Sequence, residues 1–238
     1  MADHPHEFDL LLSLRLYPHP QNPRPYATLA APVKKDHGHQ MRLQDVHFEE
    51  LLSRVGSAEP TISGSSASLI AARIGVAMVR MAFAVSGKHS IDNDMAIEKL
   101  DSISVRLVDA GERDREAALT LIKALRDGTD ETVHNRALTD ATREPLAAAH
   151  LLVELLEHCD EAEPGIRKSV ASDFFGGVEL ISGAFAGVMM AVETNLQHET
   201  ADDLGNRTRQ NRRELYRRHD VAVAALRCRP LALGLRRS

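Results

Sequence analysis

The chain has 238 residues, 43% of them hydrophobic but only 4% aromatic, with no Trp, 26% charged and a formal net charge of −5. That apolar fraction excludes wholesale disorder, and the length allows a substantial core in one large domain or two small ones. With so few aromatics the core has to come from Ala, Val, Ile, Leu and Met, which suits close helix packing better than a β-sandwich, so the sequence predicts an all-α fold.

Six of the ten prolines and five of the twelve histidines fall before residue 41. Residues 1–44 therefore read as a proline/histidine-rich N-terminal arm that cannot be one helix, although Phe8 to Leu16 could dock on the body. His37 and His39 have no carboxylate or thiol at a ligand spacing, and no metal is expected. The first residues lack the basic flank and cleavage site of a secretory signal, and Cys159 and Cys228 match no metal or redox spacing; a cytoplasmic protein without disulfides is expected.

A helical domain is read over 45–200. It begins with Phe48, Leu51, Leu52 and Val55 at helical spacing, then breaks at Gly56 to Ser66. The apolar stretch Ala67 to Val85 is long enough to raise a membrane span. Arg73 and Arg80 lie on one face, however, and Ala, Gly and Ser dilute the hydrophobicity, so a buried helix and no membrane contact are expected. Ile97, Leu100, Leu107, Ala118, Leu121, Ile122 and Leu125 predict one long helix or two joined near Gly111. Beyond Gly128, Leu138 to Leu156 predict another, with Pro145 kinking or restarting it. After Pro164-Gly165 comes a helix over about Ile166 to Asn195, rich in glycine, alanine and serine. Each interior glycine costs about 1 kcal/mol against alanine, so close packing at a helix or subunit interface is expected in return.

The last segment, 201–238, is an arginine-rich helix and tail. From Gly205 onward ten arginines stand against Glu214 and Asp220, a formal charge of +8 that leaves −13 on the rest of the chain. Leu215, Val221, Val223 and Leu226 among them predict a docked amphipathic helix with a solvated basic face. No stacking platform or reading motif accompanies the charge, and no nucleic-acid partner is expected.

The chain has no phosphate-cradling GxxxxGK, no GxGxxG, no HExxH and no GxSxG. Two segments carry candidate chemistry. Glu59-Pro60-Thr61-Ile62-Ser63-Gly64-Ser65-Ser66-Ala67 feeds a loop into a helix, where free N–H groups and the hydroxyls of Ser63, Ser65 and Ser66 can hold an anion or a carbonyl; ordinary capping by one serine is the other reading. Ser172-Asp173 heads the small-residue helix. Asp173 among apolar neighbours is either an acid–base group, its pKa raised by partial burial, or a helix cap.

In order and separation, Glu59-Pro60-Thr61 with its loop, Gly87-Lys88, Asp114 with Glu116-Ala117, Pro145-Leu146, Ser172-Asp173 and Asn195-Leu196 resemble the formimidoyltetrahydrofolate cyclodeaminase and methenyltetrahydrofolate cyclohydrolase family. The resemblance covers Phe48 to Leu196. It implies an antiparallel multi-helix bundle with small-residue helix interfaces, a homodimer, and folate bound in a groove between helices. It also implies that a tetrahydrofolate derivative is the substrate, that no cofactor is tightly bound and that no metal is required. The implied reaction either cyclises 5-formimidoyltetrahydrofolate with loss of ammonia or hydrolyses methenyltetrahydrofolate to 10-formyltetrahydrofolate. Asp173 stands where the resemblance implies the catalytic acid–base. Ser63, Gly64, Ser65, Ser66, Lys88, Ser172 and Asn195 stand where it implies substrate contacts, with Lys88 toward the folate tail.

The chain also departs from the pattern. Ile62-Ser63-Gly64-Ser65-Ser66 replaces Pro-Gly-Gly-Gly-Ser, adding side chains where a close approach or a positive φ would favour glycine. Ala191 replaces an asparagine, and Phe174-Phe175 flank Asp173. These departures motivate two alternatives, a relative acting on a non-folate imine, aminal or amide-like metabolite, and a non-catalytic helical assembly protein whose arginine tail holds a partner.

Overall fold

The computed structural model describes residues 47–58, 61–88, 93–197 and 203–232, and the arm over 1–44 lies outside them. Among the described residues the structure is helical, with no strand. We number the helices α1 (Phe48–Val55), α2 (Gly64–Gly87), α3 (Asp94–Asp127), α4 (Glu131–Ala162), α5 (Ala171–Leu196) and α6 (Asp203–Ala232).

Local chemistry sets the boundaries. Ser63 caps α2, its Oγ accepting the Ser66 N–H at 3.0 Å, so the helix starts three residues before the apolar stretch that predicted it. Of the two readings at Gly111, the single long helix is the one found: α3 runs through it, and Gly111 is buried against Leu69. Gly128, at φ 59°, ends α3 in the left-handed region that glycine enters without strain, and Asp130 caps α4 through the Val133 N–H. Two short 3₁₀ turns, Glu163–Gly165 and Lys168–Val170, follow Ala162, which delays α5 from the predicted Ile166 to Ala171.

Helices α2 to α5 form an antiparallel four-helix ring in which α2 packs on α5 and α3, α3 on α4, and α4 on α5. The α2–α5 contact is the most extensive, and glycine permits it. A Cβ built on Gly75 would lie 2.6 Å from the Gly177 carbonyl oxygen, and one on Gly177 would lie 2.6 Å from that of Gly75. The glycines whose helix cost required compensation are thus, at this crossing, the condition for backbone contact. Leu69, Val79 and Phe83 of α2, Leu107 of α3, Leu152 of α4 and Phe185 of α5 meet in the continuous core. Each such buried side chain stabilises the fold by roughly 1.5–3 kcal/mol.

Helix α6 lies on α4 and α5, burying Leu215 and Leu226. His219 stacks on Phe185, centroids 4.3 Å apart, and its Nε2 lies 3.0 Å from the Ser182 hydroxyl. The basic face is engaged rather than simply solvated. Arg218 grips Glu157 at 2.6 and 2.8 Å, Arg227 grips Glu179 at 2.7 and 2.9 Å, Arg229 holds Glu163, and Arg212 pairs with Glu193. Exposed pairs of this kind contribute about 0–1 kcal/mol each, so the leucines drive docking and the arginines set its register.

Helix α2 and the stretch Lys168–Leu196 are long and apolar enough to cross a membrane by length and composition. They are also the pair in closest contact inside the bundle. Both cysteines are free; burial pushes the Cys159 thiol up to about 12, which keeps it protonated, and Cys228 is exposed.

Candidate active site

At the end of the bundle where α2 begins, three serine hydroxyls converge on one carboxylate. Asp114 of α3 is 2% exposed, and Ser65 and Ser66 are buried beside it. Ser66 Oγ donates to Asp114 Oδ2 at 2.7 Å, Ser65 Oγ reaches both carboxylate oxygens at 2.8 and 3.0 Å, and Ser63 Oγ lies 3.2 Å from Oδ2. The serine hydroxyls also contact one another at 2.8 and 2.9 Å. The Ser63 cap turns the chain into α2 so that residues 65 and 66 face α3. None of this needs a positive φ: Ser63 is extended, and among the described residues Gly128 alone of the glycines has one. The serines that replace glycine are therefore accommodated without backbone strain.

No cation lies within salt-bridge distance of Asp114 among the described residues. Burial pushes its pKa above the ordinary carboxylate value; the hydroxyls of Ser66, Ser65 and Ser63 oppose that, and the charge of Glu144 adds to it. The result is an acid that holds its proton more tightly than a solvated aspartate, inside a ring of hydroxyls that can relay it.

The same end explains Pro145 and Asn195 together. Helix α4 continues through Pro145, which has no N–H to offer the carbonyl of Ala141 four residues earlier. Asn195 of α5 supplies the missing donor, its Nδ2 lying 2.9 Å from Ala141 O. One amide proton of Asn195 is thus committed to the helix backbone.

The other expected site residues lie elsewhere. Lys88 is exposed at the end of α2, and Ser172 is exposed in the first turn of α5. Asp173, half-buried in that turn, shares a seven-residue stripe with Leu180 and Gly187. It adjoins Phe174, whose ring packs edge-on against Phe83 at 5.7 Å. Asp173 and Asn195 lie at opposite ends of α5, about 33 Å apart at 1.5 Å per residue. The expected residues fall into two groups, Ser63 to Ser66 with Asn195 at one end of the bundle and Lys88, Ser172 and Asp173 at the other. Gly64 belongs to the first group by position, with no atom within 4 Å of a Cβ built on it.

Asp114 carried part of the resemblance but was not singled out as a site residue. Its signal was present in the periodicity: Leu100, Ile103, Leu107 and Ala110 form the buried stripe of α3, and Asp114 occupies its next position. A charged residue on a core stripe is the readable mark of a functional or paired group. Among the described residues no three His, Cys, Asp or Glu side chains group as they would to hold a metal ion.

The fold and sequence have relatives. A formiminotetrahydrofolate cyclodeaminase from Thermotoga maritima superimposes with a TM-score of 0.71 at 17% identity, over 77% of this chain and 94% of that one. No curated protein sequence matches significantly. The sequence profile described as formiminotransferase-cyclodeaminase matches residues 47–214, from α1 into α6. The four-helix ring with its serine-capped α2 and buried Asp114 lies wholly inside that match, and the chain belongs to the formiminotransferase-cyclodeaminase family.

Proposed function

We propose that this protein is a folate one-carbon enzyme, either cyclising 5-formimidoyltetrahydrofolate with loss of ammonia or hydrolysing methenyltetrahydrofolate to 10-formyltetrahydrofolate. The observation that carries the proposal is Asp114, a buried carboxylate with raised proton affinity, ringed by hydroxyls and without a counter-ion. Both reactions pass through a tetrahedral carbon between two nitrogens, and both move a proton to or from a heteroatom as it leaves. In cyclisation the second folate nitrogen adds to the formimidoyl carbon, its proton passing to the imine nitrogen, and the resulting amino group departs as ammonia when the Asp114 carboxyl protonates it. The carboxylate left behind stabilises the methenyl cation. In hydrolysis the same carboxylate takes one proton of the attacking water and passes it to the folate nitrogen whose bond to that carbon breaks, the other proton leaving to solvent. No tightly bound cofactor enters this scheme, the tetrahydrofolate derivative being the substrate.

The resemblance assigns the acid–base role to Asp173 instead. Geometry favours Asp114, since Asp173 stands at the opposite end of the bundle from the serine loop. Asp173 and Lys88, a full helix length from the serine cluster, are then outside this reaction site. Decay of methenyl-folate absorbance should accelerate with purified protein, and Asp114→Asn should remove the acceleration. Full acceleration by Asp114→Asn would refute the assignment; no acceleration by the wild type, together with no methenyl-folate formed from 5-formimidoyltetrahydrofolate, would refute the folate reading and leave the non-folate imine or aminal alternative.

Homodimer formation is part of the same proposal. Ile74 and Met81 of α2 and Leu180 and Met190 of α5 are exposed apolar residues on the two most apolar helices, an outward face suited to a second copy. Covering that face gives a soluble cytoplasmic enzyme.

A further inference from the structure

Helix α4 passes the serine end with a gap in its hydrogen bonding. Pro145 is buried in the helix interior and brings no N–H to the Ala141 carbonyl, which is reached instead by the side-chain nitrogen of Asn195 on α5, at 2.9 Å. The two ends of a carboxamide are of opposite character, and a carbonyl oxygen accepts only from the nitrogen. Turned the other way, Asn195 would set oxygen against oxygen and leave the Ala141 carbonyl without a donor. The orphaned carbonyl therefore fixes which way the amide faces, with Asn195 Oδ1 on the side away from the α4 backbone. That oxygen has no partner among the described residues, yet it is not sealed from solvent, the side chain as a whole being half-buried. An open acceptor of fixed direction thus stands at the same end of the bundle as Asp114 and the serine hydroxyls.

We infer that Pro145 is a positioning residue: by orphaning the Ala141 carbonyl it locks the Asn195 amide with its nitrogen on α4 and its oxygen outward, so that Asn195 selects a ligand bearing a hydrogen-bond donor. For its functional meaning the inference rests on the reading of the serine end as the reaction site. A carboxamide takes no proton at neutral pH, so the group it accepts from keeps its own hydrogen through the reaction. The donor that fits is an N–H outside the one-carbon bridge, such as those of a reduced pteridine ring. A contact of that kind is as strong in the bound substrate as in the transition state, so it acts on KM and leaves kcat to Asp114.

The test closes the gap in α4. In Pro145→Ala, a substitution that suits a helix interior, residue 145 regains an N–H for the Ala141 carbonyl and the Asn195 amide is released. Exchange of the Asn195 side-chain amide protons with water, read by NMR in the full chain and assigned by their loss in Asn195→Asp, should be slow for one proton in the wild type and fast for both in Pro145→Ala. Rates that do not differ between the two proteins overturn the positioning role. The acceptor is tested in the same Pro145→Ala background, where the Ala141 carbonyl no longer depends on residue 195. With methenyl-folate, adding Asn195→Leu should raise KM by about 2- to 10-fold, the range of one neutral hydrogen bond, whereas adding Asn195→Asp, which keeps the oxygen and loses the N–H groups, should not. A KM that Asn195→Leu leaves unchanged, or that Asn195→Asp raises equally, overturns donor selection, as does a loss confined to kcat, the mark of a lowered folded fraction. The exchange measurement reads no turnover, so a chain inactive on folates would refute the proposed function while the role of Pro145 is still decided by the amide protons.

Discussion

The two ends of the four-helix ring are built on opposite terms. At the far end, Asn93 donates to the carbonyls of Phe83 and Gly165, each at 3.1 Å, Ser86 Oγ accepts the Arg167 N–H at 3.0 Å, and His158 lies 2.8 Å from Ala96 O. These hydrogen bonds, with the edge-on rings of Phe83, Phe174 and Phe175, close the bundle. Lys88 and Asp173 stay outside that closure. At the serine end a carboxylate is buried instead among three serine hydroxyls, and Asn195 has to satisfy a carbonyl orphaned by Pro145. The first end is organised for stability. The second accepts a destabilising charge, which is how proteins position reactive acids.

The largest expected contrast between the ends is catalytic. Asp114→Asn should lower turnover of methenyl-folate by about 10² to 10⁴, the range of a lost general acid–base, while Asp173→Asn leaves turnover close to wild type. Equal losses in kcat would erase the distinction. Next comes stability at the serine end. Asn195→Ala leaves the Ala141 carbonyl unpaired and should cost about 1–3 kcal/mol in urea unfolding. In a Pro145→Ala background, where the helix can supply its own N–H, the same substitution should cost measurably less. An identical cost in both backgrounds would show that Asn195 acts otherwise.

A third contrast lies in the pH dependence of stability. The folded-state pKa of Asp114 is raised by burial, so the folded protein binds this proton more tightly than the unfolded chain. Stability associated with Asp114 is therefore complete below its unfolded pKa and is lost as pH rises through its folded pKa. Unfolding at a series of pH values should show that decline in the wild type and its absence in Asp114→Asn. The smallest effects belong to the far end, where Lys88→Ala and Ser172→Ala, both exposed, should each change stability by under about 0.5 kcal/mol.

Much of the fold was legible in the sequence, because its signals are local. Helical spacing located α1, the Gly128 break ended α3, and the small residues of α5 marked a close helix contact, realised at Gly75 and Gly177. What escaped was set by partners distant in sequence. Pro145 predicted a kink or a restart; α4 does not restart there, and the carbonyl that Pro145 leaves orphaned is satisfied by Asn195, 54 positions downstream of Ala141. The serine loop was readable as a site segment, but its hydroxyls turn toward Asp114, 48 to 51 positions away. Arginines read as a solvated face found carboxylates on α4 and α5 that periodicity within one helix cannot supply. Asp114 itself was visible as a charge on an apolar stripe, and only its neighbours made it a candidate acid.

The central claim is that chemistry occurs at the serine end. A crystal structure with a non-reactive methenyl-folate analogue bound tests it most directly. Chemistry at the serine end places the bridging carbon against the Asp114 and serine cluster, with the closest carboxylate oxygen belonging to Asp114. A bridging carbon seated against Asp173, with the serine end empty, would contradict it.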